Sequence, residues 1–177
     1  MKILTAIDLQ NDFTTGVLGN AECTAAADKC AEYIRSFRET EEDGQIFCTL
    51  DTHDFDYLTT QEGRNLPIAH CIVGTEGWEL YPAVKEALGE DYVAVRKGAF
   101  GSDELPSLIR RYTAGNVEEI IMIGICTDIC VISNAMILKA AFPEAPIRII
   151  SECCGGTTPE AHATALKAMS GCQFIIE

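Results

Sequence analysis

The sequence predicts an α/β fold of three layers, in which helices cover both faces of a mainly parallel sheet of about six strands. Short β-branched, apolar runs alternate with helical patterns along the chain, and this alternation is typical of parallel sheets. No internal repeat, low-complexity segment or linker divides the 177 residues. We therefore expect residues 1–177 to form a single domain with its own core.

Apolar runs predict strands at 3–7, 46–50, 92–95, 119–125, 147–150 and 173–176. Helical spacing of apolar residues follows at 24–38, 105–112 and 160–169. The segment 131–142 is apolar on nearly every face. Such a helix is either buried on both sides or placed in a subunit interface. The second alternative predicts a homo-oligomer.

Composition narrows the class of protein. The net charge of −14 argues against nucleic acid as a partner, because an acidic surface repels phosphate backbones. No apolar run approaches the ~20 residues of a membrane span. The first apolar stretch ends at Asp8, which predicts a strand of a cytoplasmic protein rather than a signal peptide. Nine cysteines without a CxxC pair predict mostly buried thiols, not a disulfide framework.

Chemically able side chains collect at the predicted strand ends. Asp8 ends the first strand, Asp51 ends the second, Lys97 comes two residues after the third, and Cys130 follows the fourth. A parallel sheet places these ends along one edge, where ligands bind. The convergence predicts an active site there, although each residue alone would be a weak signal.

Cys130 is the predicted nucleophile. It lies in GICTDICV at the start of a helix, for which Thr127 or Asp128 is the predicted N-cap. The helix dipole and Lys97 would lower the pKa of the thiol. Asp8 would accept its proton, and free N–H groups of the turn would hold an oxyanion. The alternative is a buried structural cysteine beside a capping aspartate and a solvated lysine, and the convergence argues against it.

A second cluster has the composition of a metal site. Asp51 and His53 are two residues apart, so their side chains point the same way from an extended strand end. Glu62 and His70 follow. Two imidazoles with one or two carboxylates suit zinc, iron or manganese. A polar loop with incidental histidines explains the residues equally well.

Three other residues are interpreted as structural. His162 sits just inside the last predicted helix, with nothing to place it near the cluster. Cys153 and Cys154 end the fifth predicted strand before two glycines. Small residues at a tight strand exit are the simpler explanation for this pair.

These stretches resemble the isochorismatase-like cysteine hydrolases, in their nicotinamidase branch. The matching segments occur in family order and at family spacing: IDLQNDF at 7–13, DTH at 51–53, HCIVGTEGWEL at 70–80, RKGAFGS at 96–102 and GICTDICV at 124–131. The resemblance implies the isochorismatase-like hydrolase fold, with a Rossmann-like sheet. It also implies an amidohydrolase that turns nicotinamide into nicotinate and ammonia for NAD salvage.

The resemblance assigns the catalytic roles. The family triad maps to Asp8, Lys97 and Cys130. A cis peptide precedes the residue that matches Cys126, and the amides of Cys126 and Cys130 form the oxyanion hole. Phe13 lines the substrate pocket. The Cys130 thiolate attacks the amide carbonyl, Asp8 protonates the departing ammonia, and water hydrolyses the thioester.

The resemblance also implies one divalent metal ion, zinc foremost, with iron and manganese as alternatives. Its ligands map to Asp51, His53 and His70, with Glu62 as an added carboxylate, and it takes the pyridine nitrogen of nicotinamide as a ligand. Many nicotinamidases carry an aromatic residue where this chain has Leu66, and the stretch up to His70 is one residue longer here. This departure concerns the wall on which the substrate ring would stack.

Other functions stay open on the sequence alone. The nearest is another amidohydrolase of the family, acting on a ureido, carbamoyl or other small amide. A vinyl ether hydrolase of the isochorismate type is disfavoured because it uses no cysteine nucleophile. Outside the enzymes, a non-catalytic binding protein would retain the fold but lose a triad member. A thiol-redox or metal-storage role would need paired low-pKa thiols.

Overall fold

A single six-stranded sheet forms the centre of the fold in the computed structural model, which describes residues 1–177. All strands are parallel, in the order β3-β2-β1-β4-β5-β6. The strands are β1 Lys2–Ile7, β2 Gln45–Asp51, β3 Val93–Lys97, β4 Glu119–Ile125, β5 Ile147–Gly155 and β6 Ile175–Ile176. The predicted parallel sheet of about six strands is confirmed.

Seven α-helices connect the strands: α1 Asn11–Thr14, α2 Ala21–Thr40, α3 Gln61–Asn65, α4 Pro82–Leu88, α5 Leu105–Thr113, α6 Ile132–Ala141 and α7 Pro159–Gly171. The three long predicted helices are present as α2, α5 and α7. The sequence analysis missed α1, α3 and α4, because one or two turns leave too little periodicity to detect. No helix is long and apolar enough to cross a lipid bilayer.

Helices cover both faces of the sheet, and β1 shows how the sequence achieves this. Leu4 and Ala6 point to the face covered by α2 and α4, whereas Ile3 and Ile7 point to the face covered by α5, α6 and α7. Each fully buried Leu or Ile side chain contributes about 1.5–3 kcal/mol relative to exposure. This continuous apolar run is typical of a strand buried on both faces, and the predicted three layers are confirmed.

Two predicted strand ends move. Strand β3 extends to Lys97, which pairs in register with Asp51, so the lysine is the last residue of the strand rather than two residues beyond it. Strand β6 is reduced to its last two apolar residues, since Gln173 adopts φ +68°, outside the range of extended backbone.

Strand β5 is longer than predicted, and its register against β4 shifts between Met122 and Gly124. Cys153 and Cys154 therefore lie inside the strand, both buried, not at a tight exit. Gly124 has φ +129°, and a Cβ there would lie 2.2 Å from the Ile7 carbonyl oxygen. Only glycine permits this approach. It occurs between β1 and β4, where the strand order reverses and a ligand crevice opens in such folds.

Helix α6 corresponds to the segment 131–142, for which the sequence left open burial on both sides or a subunit interface. Ala135 and Leu138 are buried against the sheet, whereas Ile132 and Met136 are only half-buried. Burial on both sides within the chain is therefore wrong, because one face of the helix remains partly open to solvent. The subunit interface stays a prediction.

Candidate active site

Asp8, Lys97 and Cys130 meet at the carboxyl ends of β1, β3 and β4. Asp8 follows β1 directly, and Cys130 lies in a single π-helical turn, Thr127–Val131, that follows β4. The Lys97 Nζ is 2.6 Å from Asp8 Oδ2 and 3.7 Å from Cys130 Sγ. All three residues are buried, at 0%, 5% and 5% exposure respectively. The structure thus assembles the three residues that the sequence placed at separate strand ends.

The Lys97 ammonium has two further neighbours. It lies 3.1 Å from Asp51 Oδ1 and donates to the carbonyl of Ala99 at 3.0 Å. Burial alone would lower the pKa of Lys97, but the Asp8 and Asp51 carboxylates raise it well above its usual value. The two carboxylates therefore stabilise the cationic form of the lysine.

The charge state of the thiol differs from the sequence prediction. Burial raises the pKa of Cys130 well above its usual value, and the Asp8 carboxylate raises it further against the opposing effect of Lys97. Lys97 is shared by two carboxylates, so its charge is already compensated. The predicted lowering of the thiol pKa is wrong for the resting protein. A protonated thiol beside a carboxylate suits proton transfer at the moment of attack.

Thr49 holds Asp8 in place, and the sequence analysis missed it. Its hydroxyl donates to Asp8 Oδ1 at 2.7 Å and accepts from the Asp8 backbone N–H at 3.1 Å. Asp8 adopts φ +48°, a left-handed conformation that aspartate tolerates better than most residues. Burial raises the pKa of Asp8, and both Lys97 and the Thr49 hydroxyl lower it. One threonine within an apolar strand gives no sequence signal for this role.

Four donor atoms converge beside the triad. Asp51 Oδ2 lies 3.0 Å from His53 Nε2 and 3.5 Å from His70 Nε2. Glu62 Oε1 lies 3.6 Å and 3.8 Å from the same two nitrogens. Four ligands placed tetrahedrally at 2.0–2.1 Å from zinc would be about 3.3 Å apart. Asp51, His53 and His70, whose donor atoms all lie within 4.8 Å of one another, therefore fit a divalent cation of that size, and Glu62 lies beside the two imidazoles.

A backbone contact on the Nδ1 side of the ring fixes the orientation of His70. Its Nδ1 lies 2.8 Å from the carbonyl oxygen of Ile68, so Nδ1 carries the proton and donates, and the Nε2 lone pair faces the other donors. The next residue, Cys71, has φ +46° and donates its N–H to Asp12 Oδ2 at 2.8 Å. Asp12 belongs to the IDLQNDF stretch. Membership of that stretch was the one feature of the sequence that pointed to a role for Asp12 near the site.

Tyr57 supports both imidazole rings. Its ring centroid lies 4.7 Å from that of His53 and 4.9 Å from that of His70. The tyrosine is 1% exposed, and its hydroxyl donates to the Leu66 carbonyl at 3.0 Å. It therefore ties the Leu66 segment to the histidines. Nothing in the sequence distinguished this tyrosine from the other four.

Gln10 fixes Asp51 through the backbone. The Gln10 Oε1 accepts from the Asp51 N–H at 2.8 Å, and its Nε2 donates to the carbonyls of Asp51 and Trp78 at 2.9 Å each. The side chain is fully buried. A single amide thus satisfies three buried backbone groups around one candidate ligand.

The turn that carries Cys130 starts with a cis peptide bond between Ile125 and Cys126, as the resemblance implied. The Cys126 carbonyl accepts from the N–H groups of Ile129 and Val131, but not from that of Cys130. The Cys126 N–H donates no backbone hydrogen bond.

The predicted N-cap is wrong. Cys126 occupies the cap position and makes no side-chain cap. The side chains of Thr127 and Asp128 bind His162 and Thr157 instead. His162 therefore contacts the turn that carries Cys130, contrary to its predicted place away from the site.

A cavity of about 230 Å³ opens above these residues. The cavity is lined by candidate metal ligands, by the two cysteines of the turn and by mainly apolar side chains. The lining residues are Phe13, Leu18, Asn20, Asp51, Glu62, Leu66, His70, Phe100, Cys126, Ile129, Cys130 and Thr157. Phe13 and Leu66 thus lie where a pocket residue was predicted. No lysine or arginine is among the lining residues, and two carboxylates are.

Comparison with known proteins agrees with this geometry. The Isochorismatase domain model matches residues 2–176. Nicotinamidase 1 of Arabidopsis thaliana is 29% identical over 143 residues, which cover 72% of this chain and 56% of that protein. The nicotinamidase/pyrazinamidase of Mycobacterium tuberculosis is 26% identical, with 96% of this chain and 94% of the relative aligned. The crystal structure of Pyrococcus horikoshii pyrazinamidase in complex with zinc superposes with a TM-score of 0.82 at 26% identity, covering 99% and 98% of the two chains.

The sheet order, the residues at its carboxyl edge and the domain match define the class: the chain belongs to the isochorismatase family of hydrolases. Its similarity to nicotinamidases and pyrazinamidases places it in the nicotinamidase branch of that family.

Proposed function

We propose that this chain is a metal-containing amidohydrolase that hydrolyses a small, neutral aromatic carboxamide, nicotinamide foremost, through a thioester on Cys130. The observation that carries the proposal is the assembly of the Cys130 thiol and the Asp8 carboxylate within 3.7 Å of the Lys97 ammonium, beneath a cavity that also exposes metal-binding donors. Residues 1–177 carry the whole site as a single domain.

The first half of the reaction uses Asp8 as the base. Asp8 accepts the Cys130 proton while the sulfur attacks the amide carbonyl, so an S–C bond forms and the carbonyl oxygen becomes an oxyanion. The amides of Cys126 and Cys130 receive this oxyanion. Asp8 then returns the proton to the nitrogen, the C–N bond breaks, and ammonia leaves. Lys97 keeps Asp8 in position and balances the charge of the site.

The second half regenerates the thiol. A water molecule gives a proton to Asp8 and attacks the thioester carbonyl, and the same oxyanion position is used again. The C–S bond breaks, the sulfur recovers its proton, and the carboxylic acid leaves. The balance is amide plus water to carboxylic acid plus ammonia.

Asp51, His53, His70 and Glu62 would hold the metal ion, for which zinc is the proposed identity because two imidazoles together with carboxylate oxygens suit it best. When bound, the ion offers a Lewis-acid position for a ring nitrogen and so orients the ring. The complex of the Pyrococcus relative with zinc supports this choice.

The charge of the cavity supports a neutral substrate. A ureido or carbamoyl acid carries a carboxylate, which needs a cationic partner inside a low-dielectric pocket. The cavity lining includes no lysine or arginine, and Lys97 beneath it is paired with Asp8. The bound metal ion would be the one cation in the cavity, and the Asp51 and Glu62 carboxylates would offset its charge. The mainly apolar walls, with Phe13 and Phe100, suit a flat ring instead. This argument favours nicotinamide over the other amides of the family.

The test is ammonia release from matched amides by the metal-loaded protein. Nicotinamide and pyrazinamide should be hydrolysed. Benzamide, which differs from nicotinamide only in the ring nitrogen, should have a kcat/KM lower by about tenfold or more, the effect of losing one oriented interaction of roughly 1.4 kcal/mol. A ureido acid should be poorer still. If the ureido acid exceeds nicotinamide tenfold, the enzyme is the alternative amidohydrolase, and if no amide releases ammonia, the non-catalytic binding protein is favoured.

Three further expectations accompany this function and stay predictions: a role in NAD salvage, a location in the cytoplasm and a homo-oligomeric state. The half-buried face of α6, with Ile132 and Met136, is the proposed subunit contact. Sedimentation of the purified protein tests the last of these.

A further inference from the structure

The turn that carries Cys130 is hydrogen-bonded to the segment that joins β5 to α7 and to the first turn of α7. Thr127 Oγ1 lies 2.8 Å from His162 Nδ1. Asp128 Oδ1 accepts from the Thr157 N–H at 2.9 Å, and Asp128 Oδ2 accepts from the Thr157 hydroxyl at 2.6 Å. Two consecutive residues of the turn are therefore tied, directly after Cys126.

This segment is itself anchored. A Cβ on Gly156 would lie 2.7 Å from the Cβ of His162 and 3.0 Å from its backbone, so glycine lets the chain pack closely against the first turn of α7. The Gly156 carbonyl accepts from Asn20 Nδ2 at 3.2 Å and from Cys23 Sγ at 3.5 Å. Asn20 and Cys23 lie at the start of α2, on the opposite face of the sheet. The support behind His162 is thus continuous with the core.

The other side-chain hydrogen bonds to the turn lie at its far end, where Asn134 Nδ2 donates to the Cys130 carbonyl at 2.8 Å and Ser133 Oγ donates to the Ile129 carbonyl at 2.6 Å. The turn has no side-chain N-cap, and its Cys126 carbonyl supplies the backbone hydrogen bonds to Ile129 and Val131. Thr127 is fully buried, so its hydroxyl has no access to water as an alternative partner. A buried hydroxyl that loses its only partner is costly, which makes the His162 contact a strong constraint on the position of the turn.

We propose that His162, through Thr127, is a positioning residue for the reaction: it holds the Cys126–Cys130 turn where its two amides can receive the oxyanion. The inference rests on the proposed function for its kinetic consequence. His162 is not among the residues that line the cavity, so it acts through the turn.

The kinetic signature follows from where the turn acts. Oxyanion donors contribute in the transition state and little in the ground state, whereas the apolar walls proposed to hold the substrate ring, Phe13, Leu66 and Phe100, lie outside the turn. A turn displaced by a fraction of an ångström should therefore lower kcat and leave KM unchanged. Misplacement of a catalytic group costs up to about a hundredfold, so we expect a fall of about ten- to a hundredfold.

Thr127 permits a matched pair of substitutions. Thr127→Val keeps the shape and removes the hydroxyl, whereas Thr127→Ser keeps the hydroxyl. The first should show the fall in kcat and faster amide hydrogen exchange across residues 127–131, and the second should retain both wild-type values. His162→Leu should reproduce Thr127→Val, and the double variant should be no worse than either single variant, because both remove the same contact.

Thr164→Ala, an exposed site on the same helix, is the control and should change neither readout. The proposal is overturned if Thr127→Val retains kcat and exchange, if KM rises instead, or if the two substitutions add. His162→Leu alone decides the matter if Thr127→Val does not fold. Absence of nicotinamide hydrolysis by the wild-type chain would overturn the proposed function, whereas the exchange rates would still test the contact.

Discussion

Removing the Thr49 hydroxyl should change the pH dependence of the enzyme. Thr49→Val keeps the shape of the side chain but deletes the hydrogen bond to Asp8 Oδ1 at 2.7 Å. That bond lowers the pKa of Asp8, against burial, which raises it. Asp8 must be a carboxylate to accept the Cys130 proton. Anything that raises its pKa therefore moves the loss of activity at low pH towards neutrality.

The magnitude follows from the partner's charge. A hydrogen bond to an ionised group contributes about 1.5–3 kcal/mol, and 1.36 kcal/mol corresponds to one pH unit of titration. The acid limb of the kcat/KM profile should therefore move to higher pH by about one to two units. Above that limb the variant should approach the wild-type rate, because the Asp8–Lys97 contact of 2.6 Å is retained.

The assay is ammonia release from nicotinamide across a pH series, and Thr5→Val is the matched control. Thr5 is equally buried on the adjacent strand, but its hydroxyl donates to the neutral carbonyl of Ile121 at 3.2 Å. The control should lose some stability, about 0.5–1.5 kcal/mol, without moving the limb. An unmoved limb in Thr49→Val, or an equal shift in Thr5→Val, would refute the assignment of Asp8 as the base.

Three other predictions concern the thiol and the metal. Cys130→Ala should lower kcat by about 10³-fold or more with an unchanged circular dichroism spectrum, whereas Cys172→Ala, the exposed cysteine, should retain activity. His53→Ala should lose the metal, measured by elemental analysis, and keep its fold; retention of one ion per chain would contradict the ligand set. Gln10→Leu should weaken metal affinity about 10–100-fold in chelator competition, while Gln45→Leu should not.

The sequence predicted the fold class and the edge of the sheet where the site lies, because both follow from local patterns. An apolar run followed by a charged residue locates a strand end, and parallel strands bring their ends together. This is sufficient for Asp8, Asp51 and Cys130, and nearly so for Lys97. Strand β3 was drawn too short because Arg96 and Lys97 look like loop residues, although they continue the ladder beside Asp51.

The supporting residues could not be predicted in the same way. Gln10 and Thr49 each contact a residue 41 positions away in the sequence. Tyr57 acts through the packing of its ring against His53. His162 reaches the turn from 35 residues further along the chain. Local patterning carries no information on such pairs. The prediction of a lowered thiol pKa failed for a related reason. Burial, which outweighs the opposing effect of Lys97 on the pKa of Cys130, depends on the whole fold.

The strand order explains why a lysine completes the triad. Adjacent strands are about 4.8 Å apart, and β3 is separated from β1 by β2, so a charge that starts on β3 must reach across roughly 9.6 Å to meet Asp8. A long, flexible side chain can do this, and Asp51 on the intervening strand lies 3.1 Å from its ammonium on the way. The other Asp51 oxygen faces the histidines. One carboxylate therefore contacts both the Lys97 ammonium and the candidate metal ligands. The segments DTH and RKG are therefore linked by one requirement, that Asp51 and Lys97 lie side by side at the strand ends. A change in the lysine or in the metal ligands should affect the other group through Asp51.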